Sequence, residues 1–410
     1  MDNFKKIKFP QYSQKIILAL GAESAGNFSV YKNGEIYTSG NFGDLLNKNN
    51  FVKFQEKVLS FLKTNKLKPQ IILTDLHPEM KTTSWGETLA KKLKAKHIKI
   101  QHHHAHIFSQ IQSRQPFLKS NDIYGVALDG TGYGLDGKIW GGEIFKFINT
   151  KSFNLKQKNK ISQAQIRENA DYIPQRIGHL ENQTMLGGDL AIREPARVLI
   201  AILNKFLNKN TTYSYISQFY SKNQFELLYN QLQQKFNCQE TSSTGRILDA
   251  VAVLLGFAKN ERLYKHQAAD LLEKNSAQPY LNLKPKINKI TNNSRVSSVT
   301  SDVIYELSTT HLFKYLIKNL HRNKHRLAAT AQLYIAQGLY RIIKRHSLQK
   351  EPSIILSGGI SDNKIISDYF QSQEILANKK TGIARGDAGL SYGQIVCFLQ
   401  KPISKLVFCK

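Results

Sequence analysis

The sequence predicts an α/β protein built from two related lobes that face a cleft. Two observations carry this expectation. A pattern of strand, hairpin and alternating helix and strand begins at Lys15 and restarts near Gly125, and such restarts imply sheets covered by helices around separate cores. Corners rich in glycine and carboxylate also recur after apolar runs, the place where α/β sheets bind ligands.

The elements follow in order. Residues 1–14 read as a polar tail. Lys15 to Ala22 reads as a buried strand, and Asn27 to Tyr31 and Glu35 to Thr38 as a hairpin around Asn33-Gly34, the strongest short hairpin signal. Phe51 to Lys63 is an amphipathic helix, Ile71 to Thr74 a short strand and Trp85 to Ala95 a second helix. The second restart gives a strand from Gly125 to Asp129, a glycine-rich turn, and a strand from Gly142 to Ile148. From Arg193 to about His346 the chain reads as mostly helical, with helices at Ile247 to Ala258, Tyr264 to Asn275 and Ala328 to Arg345. Ser276 to Ser301, rich in Asn, Ser and Lys, reads as a surface loop or partly disordered insertion. The end returns to a strand, Ser353 to Leu356, a Ser357-Gly358-Gly359 turn and a helix from Asn363 to Phe370. The expected organisation is a tail (1–14), a first lobe (15–121) and a second lobe (122–410) carrying a helical insertion (about 193–346), with the final helix packing back on the first lobe.

Composition excludes several classes. With 410 residues, 41% hydrophobic and 21% charged, the chain can bury a large core, so neither a disordered chain nor a disulfide scaffold is expected. Cys238, Cys397 and Cys409 are too isolated for a disulfide framework or a zinc ribbon. A reducing, cytoplasmic setting is the simplest reading. The apolar run from Ile16 to Ala22 is too short for a signal peptide, and no stretch approaches the roughly 18 apolar residues of a spanning helix, so no membrane partner is expected.

Lys and Arg number 58 against 30 Asp and Glu, a formal charge of +28. A field of this size attracts RNA, nucleotide phosphates or an acidic protein. The basic clusters are Lys91, Lys92, Lys94, Lys96 and Lys99; Lys156, Lys158 and Lys160; Lys284, Lys286 and Lys289; and Arg322, Lys324, His325 and Arg326. None is interleaved with aromatics as in an RNA-recognition sheet, and they read as solvated faces.

Chemistry concentrates in a few places. In Gln101-His102-His103-His104-Ala105-His106, the residues His102 and His106 share one face of a helix and can grip one metal ion. The alternative is a His-rich surface turn. Two neutral nitrogens do not complete a divalent site, so carboxylates must come from elsewhere. Asp129 is placed to help, closing an apolar strand and opening the run Gly130-Thr131-Gly132-Tyr133-Gly134, whose amides can approach phosphate oxygens. Further corners stand at Gly187-Gly188-Asp189, at Thr244-Gly245 ahead of a helix bearing Asp249, at Gly358-Gly359 leading to Asn363, and at Arg385-Gly386-Asp387. Helix starts preceded by Gly or Ser are ready anion sites, and four such corners point to a nucleotide cleft.

These motifs resemble a known family. From about Lys15 onward, LALGAE (Leu18 to Glu23), TDLHPEM (Thr74 to Met80), QHHHAH (Gln101 to His106), LDGTGYGLDGKIWGGE (Leu128 to Glu143), LGGDLAIREPAR (Leu186 to Arg197), TSSTGRILDAVAVLLG (Thr241 to Gly256), LSGGISDN (Leu356 to Asn363) and RGDAGLSYGQ (Arg385 to Gln394) are similar to the carbamoyltransferase portion of HypF, a hydrogenase maturation protein related to the TsaD tRNA-modifying enzymes. The resemblance implies an actin-like, Hsp70-like (ASKHA) fold of two ribonuclease-H-like lobes with nucleotide and metal between them. It implies a divalent metal, iron, zinc or magnesium, held by His102, His106, Asp129 and Asp387, and ATP or carbamoyl-adenylate as bound substrate. Gly130, Thr131, Gly132, Gly358 and Gly359 would cradle phosphate, Gly245 and Asp249 would meet the ribose, and Gly188, Asp189 and Asn363 would complete the pocket. No residue of this chain need be a nucleophile: catalysis is metal-assisted through His102 and His106, and the attacking thiolate is the C-terminal cysteine of a HypE-like partner.

The chain departs from the family pattern in two respects. No room precedes Lys15 for the family's acylphosphatase, zinc-finger and YrdC-like domains, so a separate YrdC-like protein is expected to supply the adenylate. Where the family reads YEGQAA, this chain has Tyr264-Lys265-His266-Gln267-Ala268-Ala269, and its SGGISDN and GDAG differ slightly from the usual SGGVFQN and GDGG. Two other readings stand beside transfer: a TsaD-like protein engaging tRNA through its basic surface, and a non-catalytic nucleotide-binding scaffold.

Overall fold

The computed structural model describes residues 4–9, 13–111, 122–149, 172–291, 300–373 and 382–400. The Lys156, Lys158 and Lys160 cluster and Cys409 lie outside them.

The first lobe contains β1 (Lys5–Lys8), β2 (Ile17–Ala19), β3 (Ser29–Lys32), β4 (Glu35–Thr38), α1 (Lys48–Thr64), β5 (Ile71–Asp75), α2 (Lys81–Leu93) and β6 (Lys96–Ile100). Its sheet runs β1-β4-β3-β2-β5-β6, antiparallel through β2 and parallel beyond it. The hairpin closes as its sequence demands. Asn33 and Gly34 both take positive φ, 49° and 80°, the pair required by the tight turn whose twist matches its flanking strands. Helix α1 buries Phe54, Val58 and Leu62, one residue per turn along a single stripe, in a cluster with Phe28, Val30 and Leu45.

After β6 comes α3 (His102–Ser109), then the second lobe: β7 (Ile123–Tyr133), β8 (Ile139–Asn149), β9 (Tyr172–Leu180), β10 (Gln183–Leu186), α4 (Leu190–Arg193), α5 (Ala196–Asn204), α6 (Lys209–Ile216), α7 (Lys222–Gln233), β11 (Cys238–Thr241), α8 (Thr244–Leu255), α9 (Gln267–Lys274), β12 (Ile287–Thr291), β13 (Thr300–Leu307), α10 (Thr309–Lys318), α11 (Lys324–His346), β14 (Ser353–Ser357), α12 (Lys364–Ser372) and α13 (Leu390–Gln400). Short 3-10 turns occupy Gly359–Asp362 and Asp387–Gly389. Here β7 pairs antiparallel with β8, β8 antiparallel with β9, and β7 parallel with β14. That repeats the relation of β2 to β3, β4 and β5, so one grammar builds both lobes.

Several local expectations are corrected. Residues 5–8 of the polar tail form edge strand β1, with Ile7 opposite Ile36 of β4. The stretch from Arg193 to His346 also carries β11, β12 and β13, and the Asn- and Lys-rich segment read as a loop contains β12, paired residue by residue with β13. Lys and Asn at an exposed edge hid its alternation. Strand β7 does not stop at Asp129. Its pairing jumps from Leu128 opposite Gly142 to Gly132 opposite Trp140, so Asp129, Gly130 and Thr131 bulge out against the single residue Gly141.

Three apolar clusters fill the molecule, one in each lobe and one joining them. The joining cluster draws Ile17, Leu73, Ala105, Ile107, Ile123, Phe145, Ile395 and Val396 from both sheets and from α3 and α13. Helix α13 returns to the first lobe: Gly21 donates its N–H to Gln394 Oε1 at 3.0 Å, and Ser29 and Ser391 hydroxyls meet at 2.8 Å. All eight residues of α3 are buried.

Close approach of α13 to α3 rests on a missing side chain. A Cβ at Gly393 would stand 2.0 Å from the Ala105 carbonyl oxygen. Gly393→Ala is expected to cost about 1–3 kcal/mol of stability through overpacking, read as a lower urea midpoint.

Candidate metal and nucleotide centre

The buried helix α3 begins because Gln101 caps it, its side-chain oxygen accepting the N–H of His104 at 2.9 Å. The surface-turn alternative for QHHHAH is excluded, since His102, His103, His104 and His106 are all buried. One turn of helix brings His102 Nε2 and His106 Nε2 to 3.1 Å from each other. The β7 bulge turns the Asp129 carboxylate to the same point, with Oδ2 3.1 Å from His102 Nε2 and 3.5 Å from His106 Nε2. Asp387, from the turn before α13, places Oδ1 3.3 Å from His106 Nε2 and 3.8 Å from His102 Nε2. The four ligand atoms lie within 4.8 Å of one another.

Whether these residues fit a metal is decided by their other hydrogen bonds. The His102 Nδ1–H donates to Asp75 Oδ2 at 2.7 Å, and the His106 Nδ1–H donates to the Arg385 carbonyl oxygen at 3.0 Å. Each ring, when neutral, therefore presents its Nε2 lone pair inward, towards two carboxylates. Crowded lone pairs and negative charge require a cation or a proton at their centre. Two imidazoles and two carboxylates suit a divalent transition ion such as zinc or iron better than magnesium, which prefers all-oxygen shells.

Without a metal the surroundings favour a proton there. Burial opposes charge on His102, but Asp75 and Asp129 outweigh it and hold its pKa well above the usual value. His106 is raised in the same way, bonds to Asp129 and Asp387 overcoming burial. Burial also opposes charge on the two acids. Bonds from His102 and His106 nevertheless drive Asp129 well below the carboxylate range, and the Lys265 ammonium and His106 lower Asp387.

Asp75 is a site residue that the sequence motifs do not single out. Its signal was the one used for Asp129, a carboxylate closing an apolar strand, but inside TDLHPEM it stood beside no glycine run. His103 is the other buried participant. Gln101 Nε2 donates to its Nδ1 at 3.2 Å, and burial pushes its pKa well down, keeping the ring neutral. Gly132 is obligatory beside it, because a Cβ there would stand 2.4 Å from His103 Cε1 and 2.8 Å from His102 Cδ2.

The glycine corners sort into two groups. One lies at the cluster. A Cβ on Gly245, at the start of α8, would fall 2.8 Å from the Gly130 Cα, and the Ser243 hydroxyl, the cap of α8, bonds the Asp129 and Gly130 carbonyls at 3.0 and 2.5 Å. Gly358 has φ +95° and rides on the Leu128 backbone, and a Cβ on Gly359 would lie 3.5 Å from Asp129 Oδ1. Thr131 is exposed at the bulge. The N-terminus of α8 and the two loops thus form one wall beside the four side chains.

The second group is bonded within the protein. Asp249, expected at the ribose, is buried and paired with Arg246 Nη2 at 2.6 Å and with Arg262 at 3.6 Å, while its Oδ1 has no partner among the described residues. Asn363 caps α12, accepting from the Ile366 N–H and donating to Gln332 Oε1 at 2.6 Å and Glu273 Oε2 at 3.0 Å. Its amide is spent within the protein. Gly188 and Asp189 form the corner before α4, and Arg262, which pairs with Asp249, also bonds the Ile192 and Arg193 carbonyls of that helix.

Two sheets of one strand order, with this cluster between them, define the class: an actin-like, Hsp70-like α/β protein. Residues 12–112 match the family model described as HypF Kae1-like domain, and residues 125–163 and 167–394 match the second subdomain of the carbamoyltransferase, Kae1-like domain. The chain belongs to the carbamoyltransferase HypF family. It is 33% identical over 404 residues to a protein of Methanocaldococcus jannaschii described as "Probable carbamoyltransferase HypF", covering 95% of this chain and 47% of that one. A "Carbamoyltransferase HypF homolog" of Cupriavidus necator is 27% identical over 403 residues, 95% of this chain and 93% of its own length. The crystal structure of T. kodakarensis HypF superposes with a TM-score of 0.77 at 27% identity, over 96% of this chain and 48% of that one. A full-length HypF in a phosphate- and nucleotide-bound form shares the fold, with a TM-score of 0.76 at 23% identity, over 96% of this chain and 47% of that one. The chain thus spans about half the length of several relatives and nearly all of one.

Two outcomes follow from this geometry. Asp75→Ala removes the group that orients His102 and is expected to weaken divalent-metal affinity about 10- to 100-fold in chelator competition. Because the raised pKa values of His102 and His106 make a proton the competitor, metal affinity should rise with pH and level off only above them, with protons released on binding.

Proposed function

We propose that this chain is the carbamoyl-transfer module of hydrogenase maturation. It would bind carbamoyl-adenylate in the cleft and pass the carbamoyl group to the C-terminal cysteine thiolate of a HypE-like protein, the adenylate arriving from a separate YrdC-like protein. The observation that carries this reading is the convergence of His102, His106, Asp129 and Asp387 within 4.8 Å, beside a wall of glycine turns, in a chain of this family.

A bound divalent ion at these residues would neutralise phosphate charge and polarise the acyl carbonyl. The chain's own residues hold and orient. Asp75 and the Arg385 carbonyl fix the two imidazoles with Nε2 inward, and the Gly130 and Gly359 turns with the α8 N-terminus offer close backbone approach to an anion. The thiolate sulfur attacks the carbamoyl carbon, the bond from that carbon to the phosphate oxygen breaks, and AMP leaves with the electron pair. The attacking group comes from outside in this reading, and the Ser243 and Ser357 hydroxyls are engaged within the protein: Ser243 with the Asp129 and Gly130 carbonyls, Ser357 with the His106 carbonyl at 2.5 Å and the Arg385 carbonyl at 3.2 Å.

One observation favours the tRNA reading as well. Leu307 to Lys350 contains no Asp or Glu, and Lys314, Lys318, Arg322, Lys324, Arg326, Arg341, Lys344 and Arg345 form no ion pair among the described residues. Such a surface attracts polyanions.

The experiment combines this chain with radiolabelled carbamoyl phosphate, ATP, a YrdC-like domain and a HypE-like acceptor. Label on the acceptor, lost in His102→Ala, is the expected result. No transfer by a protein that binds metal and nucleotide would instead favour the scaffold reading, and tRNA binding that falls steeply with salt would favour the nucleic-acid one.

A further inference from the structure

The loop before α9 touches the cluster in a way its sequence does not announce. Lys265 Nζ lies 2.8 Å from Asp387 Oδ2, while Asp387 Oδ1 faces the two histidines. The two oxygens of one carboxylate are therefore divided, one turned to the ligand centre and the other to an ammonium. The Lys265 side chain is 47% exposed, so its remaining N–H donors face solvent at the mouth of the cleft. Its neighbour His266 has φ +70° and ψ 1°, a left-handed conformation that is strained for a non-glycine residue. The ring it carries lies beside Gly359, 3.7 Å from where a Cβ would stand there. The Leu263 N–H is held by Gln267 Oε1 at 2.6 Å, which closes the loop over α9. A backbone strained in this way and tied at both ends fixes where the ammonium sits.

We propose that Lys265 is a positioning residue with two tasks: it confines Asp387 to a single-oxygen ligand, and it donates to the phosphate of the bound nucleotide. The inference rests on the metal and nucleotide reading of the cleft. The phosphate of an acyl-adenylate carries one negative charge and that of AMP about two, and either gives the ammonium an anionic partner. An ammonium is suited to the second task because it is a compact point charge with three donors, of which Asp387 takes one.

The test uses the full chain as wild type, Lys265→Met and Lys265→Arg, each loaded with cobalt(II), with AMP as the nucleotide probe. Calorimetry reads AMP affinity and the visible absorption of cobalt reads its coordination. Lys265→Met is expected to bind cobalt, to bind AMP at least about tenfold more weakly, and to show an altered cobalt spectrum as Asp387 Oδ2 is released. Lys265→Arg should recover most of the AMP affinity and the wild-type spectrum, which a merely structural defect would not. Unchanged AMP affinity or an unchanged spectrum in Lys265→Met overturns the proposal and leaves the site intact. Wild-type protein that takes up neither cobalt nor AMP overturns the reading of the cleft itself.

Discussion

The hydrogen bond from His102 Nδ1 to Asp75 is the constraint on which the centre of this molecule depends. It joins the end of β5 to the start of α3, both inside a region closed to water. By fixing which nitrogen carries the proton, it dictates that the other faces inward. Everything else at the cluster answers that decision: His106 repeats it against a backbone carbonyl, and Asp129 and Asp387 bring the negative charge that two inward lone pairs need a cation to share. Burial makes each of these groups costly alone, and together they are tolerable only around positive charge.

The surrounding fold can be understood as the apparatus that holds those groups against their mutual repulsion. Helix α3 is clamped between sheets by Ile107 and Phe108 on one side and α13 on the other. The β7 bulge sacrifices ladder pairing at three residues to aim one carboxylate. Glycines at 132, 245, 358 and 393 are not general flexibility but missing side chains at surfaces where backbone meets imidazole or backbone meets backbone. Apolar packing is spent where it gives rigidity, and the polar cost is concentrated at one point.

Much of this was legible in the sequence. Asn33-Gly34 declared its hairpin, the i, i+4 spacing of His102 and His106 declared a shared face, and Asp129 stood at the head of a glycine run. Asp387 was assigned to the cluster only by resemblance, because nothing local distinguishes one Gly-Asp turn from another; its place beside the histidines comes from the fold that sets it before α13. Asp249 and Asn363 differ in how legible their partners are: Arg246 stands three residues before Asp249 on the same helix, a pair that helical spacing reveals, whereas Gln332 reaches Asn363 from a distant helix that no spacing rule reveals. Strand β12 escaped because an exposed edge tolerates Lys and Asn on both faces of the alternation.

The order of the four side chains along the chain has a consequence for synthesis. His102 and His106 emerge first, Asp129 soon after, and Asp387 far later. The cluster is therefore complete only when α13 has packed back onto the first lobe, through Gln394 against Gly21 and Ser391 against Ser29. A nascent chain carries three of the four groups before the last arrives, and the assembled cluster marks a molecule whose late segment has found its early one.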